Sequence, residues 1–422
     1  MTNHDTASPG TAAAAKAPEP PAYLPGVDGL RGLAALSIVL YHIFTNAHMP
    51  ELRLWHHINV LRPLHDGWAA VNLFLVLSGF CLFWPYARRR DRACRYLDFM
   101  QNRSRRILPA YYASLAIVPA AFYVMVKFGI PAKENFLPHN WWDALLHLLM
   151  LHSLTPSTLR TWSGVGWSLG LEWTWYLSFP LVVWLFRRAG AGRGLVIVAA
   201  ITFAYRFGLY FVLGPAIHFS NDTFTMWLRV LLPGRLLEFG LGMYVASLLA
   251  DAYRSGRPRE ASFFRFATAA FALSLILLAA GHACIGTDVF LPFTDAFFGL
   301  ASAFLLVAAV DPSRGFVQRA FSGRLLDGIG QCSYSLFLFH LPITYVICEL
   351  FRLHGIAGSR NFFCSLITLV PAILVARLGY RFIEAPFLRR ARLERAPSTG
   401  EEGRSAFQSG NGPAIGASAI EL

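Results

Sequence analysis

Charged side chains are scarce in this sequence. Asp, Glu, Lys and Arg together account for 14% of the 422 residues, while hydrophobic residues account for 55%. Ordinary soluble domains carry about 25% charged residues. The shortage of charge therefore argues against a soluble protein and directs attention to how the apolar residues are arranged.

Cysteine is also rare, and the six cysteines form no pattern. They lie far apart, mostly within apolar stretches, and no C-x-x-C pair or Cys/His cluster with metal-ligand spacing is present. The six are Cys81, Cys94, Cys284, Cys332, Cys348 and Cys364. We expect them to act as small hydrophobic side chains, and we predict no metal site.

The apolar residues fall into repeated stretches of roughly twenty residues, the length that a helix needs to cross about 30 Å of hydrocarbon. The 35 Phe, 15 Tyr and 11 Trp residues fit aromatic belts at the membrane surfaces. We predict an all-α integral membrane protein with a ten-helix transmembrane bundle. The predicted spans are 30–46, 68–86, 108–127, 167–186, 195–213, 233–250, 266–283, 289–310, 326–350 and 361–383.

One apolar segment, 141–154, is shorter than the others. It has about fourteen residues, fewer than a membrane-spanning helix needs. It also contains three ionisable side chains, Asp143, His147 and His152. Its length favours a short re-entrant or interfacial helix over a span.

The net charge of +13 arises from basic residues in short loops between the predicted spans. Such loops are typical of the cytoplasmic side of membrane proteins, so the charge does not indicate nucleic-acid binding. The arginine-rich loops are 87–106, 187–193, 253–265, 314–324 and 381–395. All five loops lie on the same side of the membrane only if the segment 141–154 does not cross it. We therefore predict that both termini are cytoplasmic, in a multi-pass protein of the inner (plasma) membrane.

The two ends of the chain differ in composition from the rest. Residues 1–22 are rich in Ala, Pro and Thr with almost no apolar run, which argues against a signal peptide. We predict disordered tails over 1–22 and 391–422 and one membrane domain over 23–390. The sequence shows no clear internal repeat of the kind that transporters carry.

Arg31 and His42 lie in one apolar run, GLRGLAALSIVLYHIF. In a helix they would be about 16 Å apart along the axis and on the same face, because eleven residues make about three turns. Ionisable residues within spans are costly and usually mark a pathway or a reactive site. His42 is therefore a candidate general base, and a histidine that only packs between helices is the alternative.

Glu172 lies inside the predicted span WSLGLEWTWYLSFPL. A carboxylate at this depth needs a partner. His42 and His340 are the candidate partners, and pairing with an arginine such as Arg229 is the alternative. Trp167 begins the same motif and fits either a cavity or an aromatic belt.

The motif GQCSYSLFLFHLPI places Tyr334 and His340 on another predicted span. A second histidine within the membrane is a further ionisable group that needs a polar partner inside the bundle. The two residues are candidates for a substrate cavity. The alternative for His340 is a packing role ahead of Pro342.

Three further groups could serve either structure or function. Ser78 belongs to a Ser-Gly pair that lets a helix or a thin ligand approach closely. Arg235 and Glu238 stand three residues apart, which suits an ion pair within one helix. Arg103 and Arg106 precede a span, where guanidinium groups bind phosphate oxygens or anchor the chain at lipid head groups.

These motifs together resemble the membrane acyltransferase-3 family. YLPGVDGLRGLAALSIVLYHIF is similar to the opening of that family, whose R-x10-H pattern fits Arg31 and His42. VNLFLVLSGF resembles the motif of its second span. NRSRRILPAYY resembles its R-x-x-R-I-x-P-x-Y loop through Arg103 and Arg106.

The later motifs follow in the family's order. WSLGLEWTWYLSFPL resembles its WSL-x-x-E-x-x-x-Y-L-x-x-P-L signature through Glu172, and GQCSYSLFLFHLPI also fits. The closing E-x-P-F matches Glu384–Phe387. The resemblance covers about residues 23–390.

The resemblance implies ten membrane helices and an acyl-coenzyme A donor, expected to be acetyl-coenzyme A, that arrives from the cytoplasm as a co-substrate. It implies O-acylation of a hydroxyl on a carbohydrate or glycoside, with no permanently bound cofactor. Part of the family carries a fused extracytoplasmic SGNH hydrolase-like domain, which we do not expect here. We therefore expect a smaller acceptor or a separate extracytoplasmic partner, and a homodimer is a further alternative.

We predict roles for the candidate residues that agree with this resemblance, with His42, Arg31 and Glu172 as the catalytic residues. His42 would take the proton of the acceptor hydroxyl or carry the acyl group itself, and Glu172 would orient a cavity group. Arg31 is the third predicted catalytic residue, as an essential cavity or donor-binding group. The residues expected at the donor are Arg103, Arg106 and Ser78, and those expected in the substrate cavity are His340, Tyr334, Trp167, Arg235 and Glu238. A transporter of a small charged or acylated molecule is the alternative function.

Overall fold

The computed structural model describes residues 20–50, 53–54, 58–59, 61–89, 91–131, 137–162, 164–213, 223–256, 266–285, 291–313 and 315–393. The predicted tails therefore lie mostly outside the described residues. Pro20 and Pro21, assigned to the N-terminal tail from composition, are described, and their carbonyl oxygens accept hydrogen bonds from Arg88 and Trp84. This part of the predicted tail is bound to the helix bundle.

The described residues are helical apart from one very short antiparallel strand pair. The long helices are α1 (Val27–Asn46), α3 (Ala70–Arg88, after a 3-10 turn over Gly67–Ala69), α4 (Tyr96–Lys127), α6 (Trp167–Ala189), α7 (Ala191–Gly208), α9 (Leu232–Arg254), α10 (Ala267–Cys284), α11 (Leu291–Ala309), α14 (Ser333–Leu353) and α16 (Leu369–Gly379). The shorter elements are β1 (Arg53–Leu54), β2 (Ile58–Asn59), α2 (Arg62–His65), α5 (Trp141–Leu148), α8 (Thr223–Val230), α12 (Phe316–Phe321), α13 (Arg324–Gln331), α15 (Gly358–Ser365) and α17 (Ala385–Leu393).

Ten of these helical segments are long and apolar enough to cross a membrane. They coincide with the ten predicted spans, so the predicted all-α membrane fold is confirmed. The segment 141–154 contains only the eight residues of α5 and a 3-10 turn over His152–Leu154. Because eight residues cannot span the hydrocarbon layer, this segment is a short helix that does not cross, as predicted.

Three boundaries differ from the prediction. Helix α4 begins at Tyr96, so Arg103 and Arg106 lie within the helix and not in a loop before it. The predicted span 326–350 is divided at Cys332 into α13 and α14. The last span, Gly358–Arg389, combines α15, a 3-10 turn, α16, a π-helical turn and the start of α17.

Helices α3 and α9 form the centre of the bundle. They pack with their backbones in close approach: a Cβ atom at Gly79 would lie 2.1 Å from the carbonyl oxygen of Phe239, and one at Gly242 would lie 2.0 Å from that of Val76. Small residues permit this approach between membrane helices. Buried residues make up 78% of the apolar window of α3 but only 11% of that of α10, which therefore lies at the periphery.

Helices α1 and α14 lie side by side and run in the same direction. Arg31 Nε donates to Ser333 Oγ at 3.3 Å near the start of both helices. Asn46 Nδ2 donates to Thr344 Oγ1 at 3.4 Å where α1 ends. We call the two ends of the bundle the Arg31 end and the His42 end, after these positions on α1.

Candidate functional site

A cavity that is open at its mouth lies between α1, α3, α4, α6 and α14. Its polar lining comes from Arg31, Ser78, Arg103, Arg106, Ser168, Glu172, Tyr176, Ser333 and Tyr334. Leucines, Val71, Cys81 and two phenylalanines supply the apolar part. The cavity therefore brings together six of the residues selected from the sequence.

Three arginines dominate the charge of this cavity. Arg31, Arg103 and Arg106 face one lining carboxylate, that of Glu172. Two further carboxylates, Asp28 and Glu384, interact electrostatically with Arg31 and Arg106 from outside the lining. Glu172 interacts electrostatically with Arg103. The lining therefore has more positive than negative side chains among the described residues.

Arg103 is 6% exposed, and its Nε has no hydrogen-bond partner among the described residues. Its Cζ lies 5.6 Å from the ring centroid of Phe99, and within the described part of the chain it makes no ion pair. A buried guanidinium group with no direct ion pair and an unpaired Nε is costly. The arrangement therefore suits an anionic ligand that would complete the pairing of Arg103.

Glu172 is held by two hydroxyl groups. Ser78 Oγ donates to Glu172 Oε1 at 2.9 Å, and the hydroxyl of Tyr176 donates to the same oxygen at 2.5 Å. The expectation that His42 or His340 would pair with Glu172 is therefore wrong. Tyr176 lies four residues further along α6, on the same helix face, whereas Ser78 comes from α3.

The two histidines instead contact each other. His340 Nε2 lies 3.0 Å from His42 Nδ1, and His340 Nδ1 lies 2.9 Å from the carbonyl oxygens of both Leu336 and Phe337. His42 Nδ1 also lies 2.9 Å from the carbonyl oxygen of Ile38. Carbonyl oxygens accept hydrogen bonds only, so both Nδ1 atoms carry hydrogen.

This pattern fixes the tautomers of the neutral pair. His340 Nε2 has a lone pair and accepts from His42 Nδ1–H. His42 consequently has its lone pair on Nε2, the ring atom that can take up a proton. The pair is chemically suited to general base catalysis.

The histidine pair lies beyond the residues that line the cavity. His340 is about one helical turn further along α14 than Phe337, which lines the cavity, and the ring centroids of these two residues are 6.2 Å apart. The described lining residues include neither His42 nor His340. The arginine-containing cavity and the histidine pair are thus adjacent but separate.

Tyr334 lines the cavity and donates to the carbonyl oxygen of Ile107 at 3.0 Å. Trp167 packs against the apolar core and is not among the lining residues, although its neighbour Ser168 is. Tyr334 is thus placed in the predicted cavity and Trp167 is placed beside it.

Arg235 and Glu238 belong to a second, buried polar cluster. Their ion pair is long, 3.5 Å, and each has a closer partner: Asp295 lies 2.9 Å from Arg235, and Arg206 lies 2.7 Å from Glu238. Arg235 NH1 also donates to Asn72 Oδ1 at 3.0 Å. The cluster joins α3, α7, α9 and α11, and it lies away from the cavity lining.

The short segment after α4 holds a third cluster, which the sequence analysis did not select as a site. His147 Nδ1 lies 3.0 Å from Asp143 Oδ1, and the rings of His147 and His152 stack with centroids 4.2 Å apart. His152 Nε2 donates to the carbonyl oxygen of Gly166 at 2.9 Å. Burial lowers the pKa of His147 and lowers that of His152 to about 3.

This cluster fastens the segment to the start of α6. A Cβ atom at Gly170 would lie 2.6 Å from Ser153 Oγ and 3.2 Å from His152 Cε1. Gly170 is two residues before Glu172. The cluster therefore supports the helix turn that carries the cavity carboxylate.

The fold and the cavity together define a class: an integral membrane protein with a buried, arginine-rich cavity next to a histidine pair. The model of the acyltransferase-3 family, described as an acyltransferase domain, matches residues 24–378. The chain belongs to this family, as the resemblance of its motifs predicted. The prediction that the protein is an acyltransferase is thereby confirmed.

Individual proteins agree with this assignment. The chain is 26% identical over 388 residues to O-acetyltransferase OatA of Staphylococcus aureus (strain NCTC 8325 / PS 47). The aligned region covers 88% of this chain and 58% of OatA. The chain is 25% identical over 382 residues to a putative O-acetyltransferase of Staphylococcus aureus (strain COL), covering 86% and 57%. The chain thus spans little more than half the length of these curated relatives. No solved structure matches it.

Proposed function

We propose that the protein is an O-acyltransferase that moves an acyl group, expected to be acetyl, from cytoplasmic acyl-coenzyme A to a hydroxyl of a carbohydrate or glycoside. The observation that carries this proposal is Arg103, a buried guanidinium group that lines the cavity and whose Nε has no hydrogen-bond partner among the described residues. Coenzyme A has several phosphate groups, and guanidinium groups bind phosphate oxygens in forked pairs.

The donor would enter at the Arg31 end. The arginine-rich loops favour this end as the cytoplasmic one, in agreement with a plasma-membrane protein. Arg103 and Arg106 would then contact the phosphates, while Ser78, Tyr176 and Glu172 form a polar wall further inside. The pantetheine arm would extend from these arginines towards the histidine pair.

Chemistry would take place at His42. As the acceptor oxygen attacks the thioester carbonyl carbon, its proton passes to His42 Nε2, and a new oxygen–carbon bond forms. The carbon–sulfur bond then breaks, and the coenzyme A thiolate leaves and takes up a proton. His340 keeps the base in the required tautomer, because its Nε2 accepts from His42 Nδ1 at 3.0 Å.

The names of the two relatives support acetyl as the acyl group and oxygen as its acceptor. The family resemblance supports a carbohydrate or glycoside acceptor. A smaller acceptor, a separate extracytoplasmic partner or a second copy of the chain would each be compatible with transfer at His42.

The proposal is tested in cells that lack the protein and are complemented with wild type or His42→Ala. Mass spectrometry of surface glycans and small glycosides is expected to show an acetyl mass only with wild type. His48→Ala, an exposed residue of the same region, is the matched control and should behave as wild type. Undiminished acylation with His42→Ala, at equal amounts in the membrane, would overturn the assignment of the base.

A second measurement tests the donor. Inside-out membrane vesicles that contain the protein are given acetyl-coenzyme A, and the release of free coenzyme A thiol is compared with vesicles that lack the protein. Protein-dependent release is expected. If vesicles with the protein release no more coenzyme A thiol than vesicles without it, the protein does not use acetyl-coenzyme A as its donor.

A further inference from the structure

Two phenyl rings close the inner end of the cavity. Phe74 of α3 and Phe337 of α14 both line it, and their ring centroids are 6.2 Å apart at an interplanar angle of 72°. This edge-to-face contact bridges two helices on opposite sides of the cavity. The neighbouring lining residues Val71 and Leu75 are apolar, so this end differs from the arginine-containing mouth.

The aromatic pair lies between the cavity and the proposed base. Phe337 touches Phe74 on one side and has its ring centroid 6.2 Å from that of His340 on the other. His340 in turn contacts His42 at 3.0 Å. The order of contacts from the cavity to the base is therefore Phe74, Phe337, His340 and His42.

The acyl end of the donor has to reach this boundary. Arg31 and His42 are separated by about 16 Å along α1. A donor held by its phosphates near Arg31 would thus have to extend past Phe74 and Phe337 for its thioester to reach His42. Any carbon atoms beyond the carbonyl group would point at, or have to pass, the two rings.

We propose that Phe74 and Phe337 determine the length of the acyl chain that the enzyme accepts, and that they restrict the donor to short acyl groups such as acetyl. This inference rests on the proposed function and adds its donor specificity. Protein interiors are close-packed, so a longer chain would have to displace an aromatic ring from its contacts. Each additional methylene that a pocket cannot accept changes specificity by about 10–200-fold.

The test compares acetyl-coenzyme A with butyryl-coenzyme A in inside-out vesicles, using the release of free coenzyme A thiol and vesicles without the protein as the blank. The measured quantity is the ratio of kcat/KM for butyryl to that for acetyl in one preparation. This ratio does not depend on how much of a variant is folded. Phe337→Leu and Phe74→Leu are the test variants, because leucine keeps the site apolar and shortens the side chain.

Wild type is expected to prefer acetyl, and each leucine variant is expected to raise the butyryl-to-acetyl ratio by about tenfold or more. Phe337→Trp should lower the ratio further. Phe122→Leu is the matched control, because Phe122 is buried against Tyr345 and does not line the cavity; its ratio should equal that of wild type.

Unchanged ratios in both leucine variants, with wild type active on acetyl-coenzyme A, would overturn the inference while leaving the proposed function intact. A wild type that uses butyryl-coenzyme A as well as acetyl-coenzyme A would overturn it too. If wild type consumes neither donor, the proposed function itself fails. The two kinds of failure are therefore distinguished by the wild-type measurement alone.

Discussion

His340 Nε2 lies 3.0 Å from His42 Nδ1 and accepts a hydrogen bond from it, between two helices that are far apart in the sequence. The direction of this hydrogen bond follows from the backbone carbonyl groups that both Nδ1 atoms contact. Because the direction is fixed, each histidine has a distinct task. His340 accepts, and His42 keeps a lone pair on Nε2.

The first prediction concerns His340 as a positioning residue. His340→Ala removes one of the two acceptors near His42 Nδ1–H and leaves the carbonyl oxygen of Ile38. We expect transfer to fall by about 10–100-fold through misorientation of the base. His340→Gln offers an amide oxygen in place of Nε2 and should restore part of the rate. The measurement is kcat against pH for both variants at equal membrane abundance. Equal losses in the two variants would contradict a role in accepting this hydrogen bond.

The second prediction concerns the donor site. Arg103→Gln removes the buried guanidinium group, and we expect KM for acetyl-coenzyme A to rise by about 10–100-fold, since hydrogen bonds to charged groups contribute about 1.5–3 kcal/mol each. Arg103→Lys keeps the charge without the fork and should lie between Gln and wild type. Steady-state kinetics in vesicles measures both.

Arg105 provides the control for the donor site, because it is on the same helix but not among the cavity-lining residues. Arg105→Gln is expected to leave KM within about twofold of wild type. The assignment of Arg103 would fail if Arg105→Gln and Arg103→Gln raised KM equally, since a general loss of positive charge would then explain both results.

The third prediction concerns Glu172 and its two hydroxyl donors. Glu172→Ala leaves the buried hydroxyl of Tyr176 without its acceptor, which costs about 1–3 kcal/mol. Glu172→Gln keeps a side-chain oxygen and should cost less. Thermal unfolding in detergent should therefore rank wild type above Gln and Gln above Ala. Tyr176→Phe combined with Glu172→Ala should add little further loss, because the two residues act on one contact.

The fourth prediction concerns pH and the segment 137–162. His147 and His152 have lowered pKa values in the folded protein, that of His152 about 3, so the unfolded chain binds protons more readily below pH 6.5. Stability should therefore be unaffected above about pH 6.5 and should decrease as the pH falls from there towards 3. The physical cause is that a charged imidazole cannot remain in this buried cluster.

The measurement for this prediction is the Tm in detergent at pH 7.5 and pH 5.0, where we expect a decrease of several degrees. His152→Gln should reduce the difference between the two Tm values, because the substituted residue does not titrate. His139→Gln, an exposed residue in the same segment, is the control. If the Tm of wild type, His152→Gln and His139→Gln decreased equally, residues other than His152 would cause the pH dependence.

Much of the fold could be predicted because a helix that crosses a membrane must be apolar along its whole length, and that requirement is visible in the sequence. The exclusion of 141–154 as a span followed from the same physics together with loop charge. Helix boundaries were less visible. The start of α4 at Tyr96 lies in a polar, arginine-rich stretch where helix and loop have similar compositions.

The contents of the site were partly predictable. Arg31, Arg103, Arg106 and Glu172 were found because each is a charge in an apolar setting. The partner of Glu172 was missed because Ser78 is 94 residues away and no local pattern joins them. Tyr176 could have been found from its i,i+4 spacing to Glu172.

Other features of the site could not be recognised from the sequence. Phe74 and Phe337 look like lipid-facing residues in the sequence, and only the packing of α3 against α14 turns them into a boundary of the cavity. The contact of His42 with His340 likewise depends on the parallel alignment of α1 and α14. The sequence identified both histidines but not their pairing.

The cluster around Arg235 has a consequence for how the protein is made. Asp295 emerges from the ribosome 66 residues after Arg229, and Arg206 precedes Glu238 by 32 residues. An arginine within a membrane helix opposes insertion, and an ion pair with a carboxylate reduces this cost. Helices α7 and α9 should thus be retained beside the insertion machinery until α11 supplies its carboxylate. Biogenesis of this bundle is then a collective event, in which the middle helices enter the lipid together once their charges have been matched.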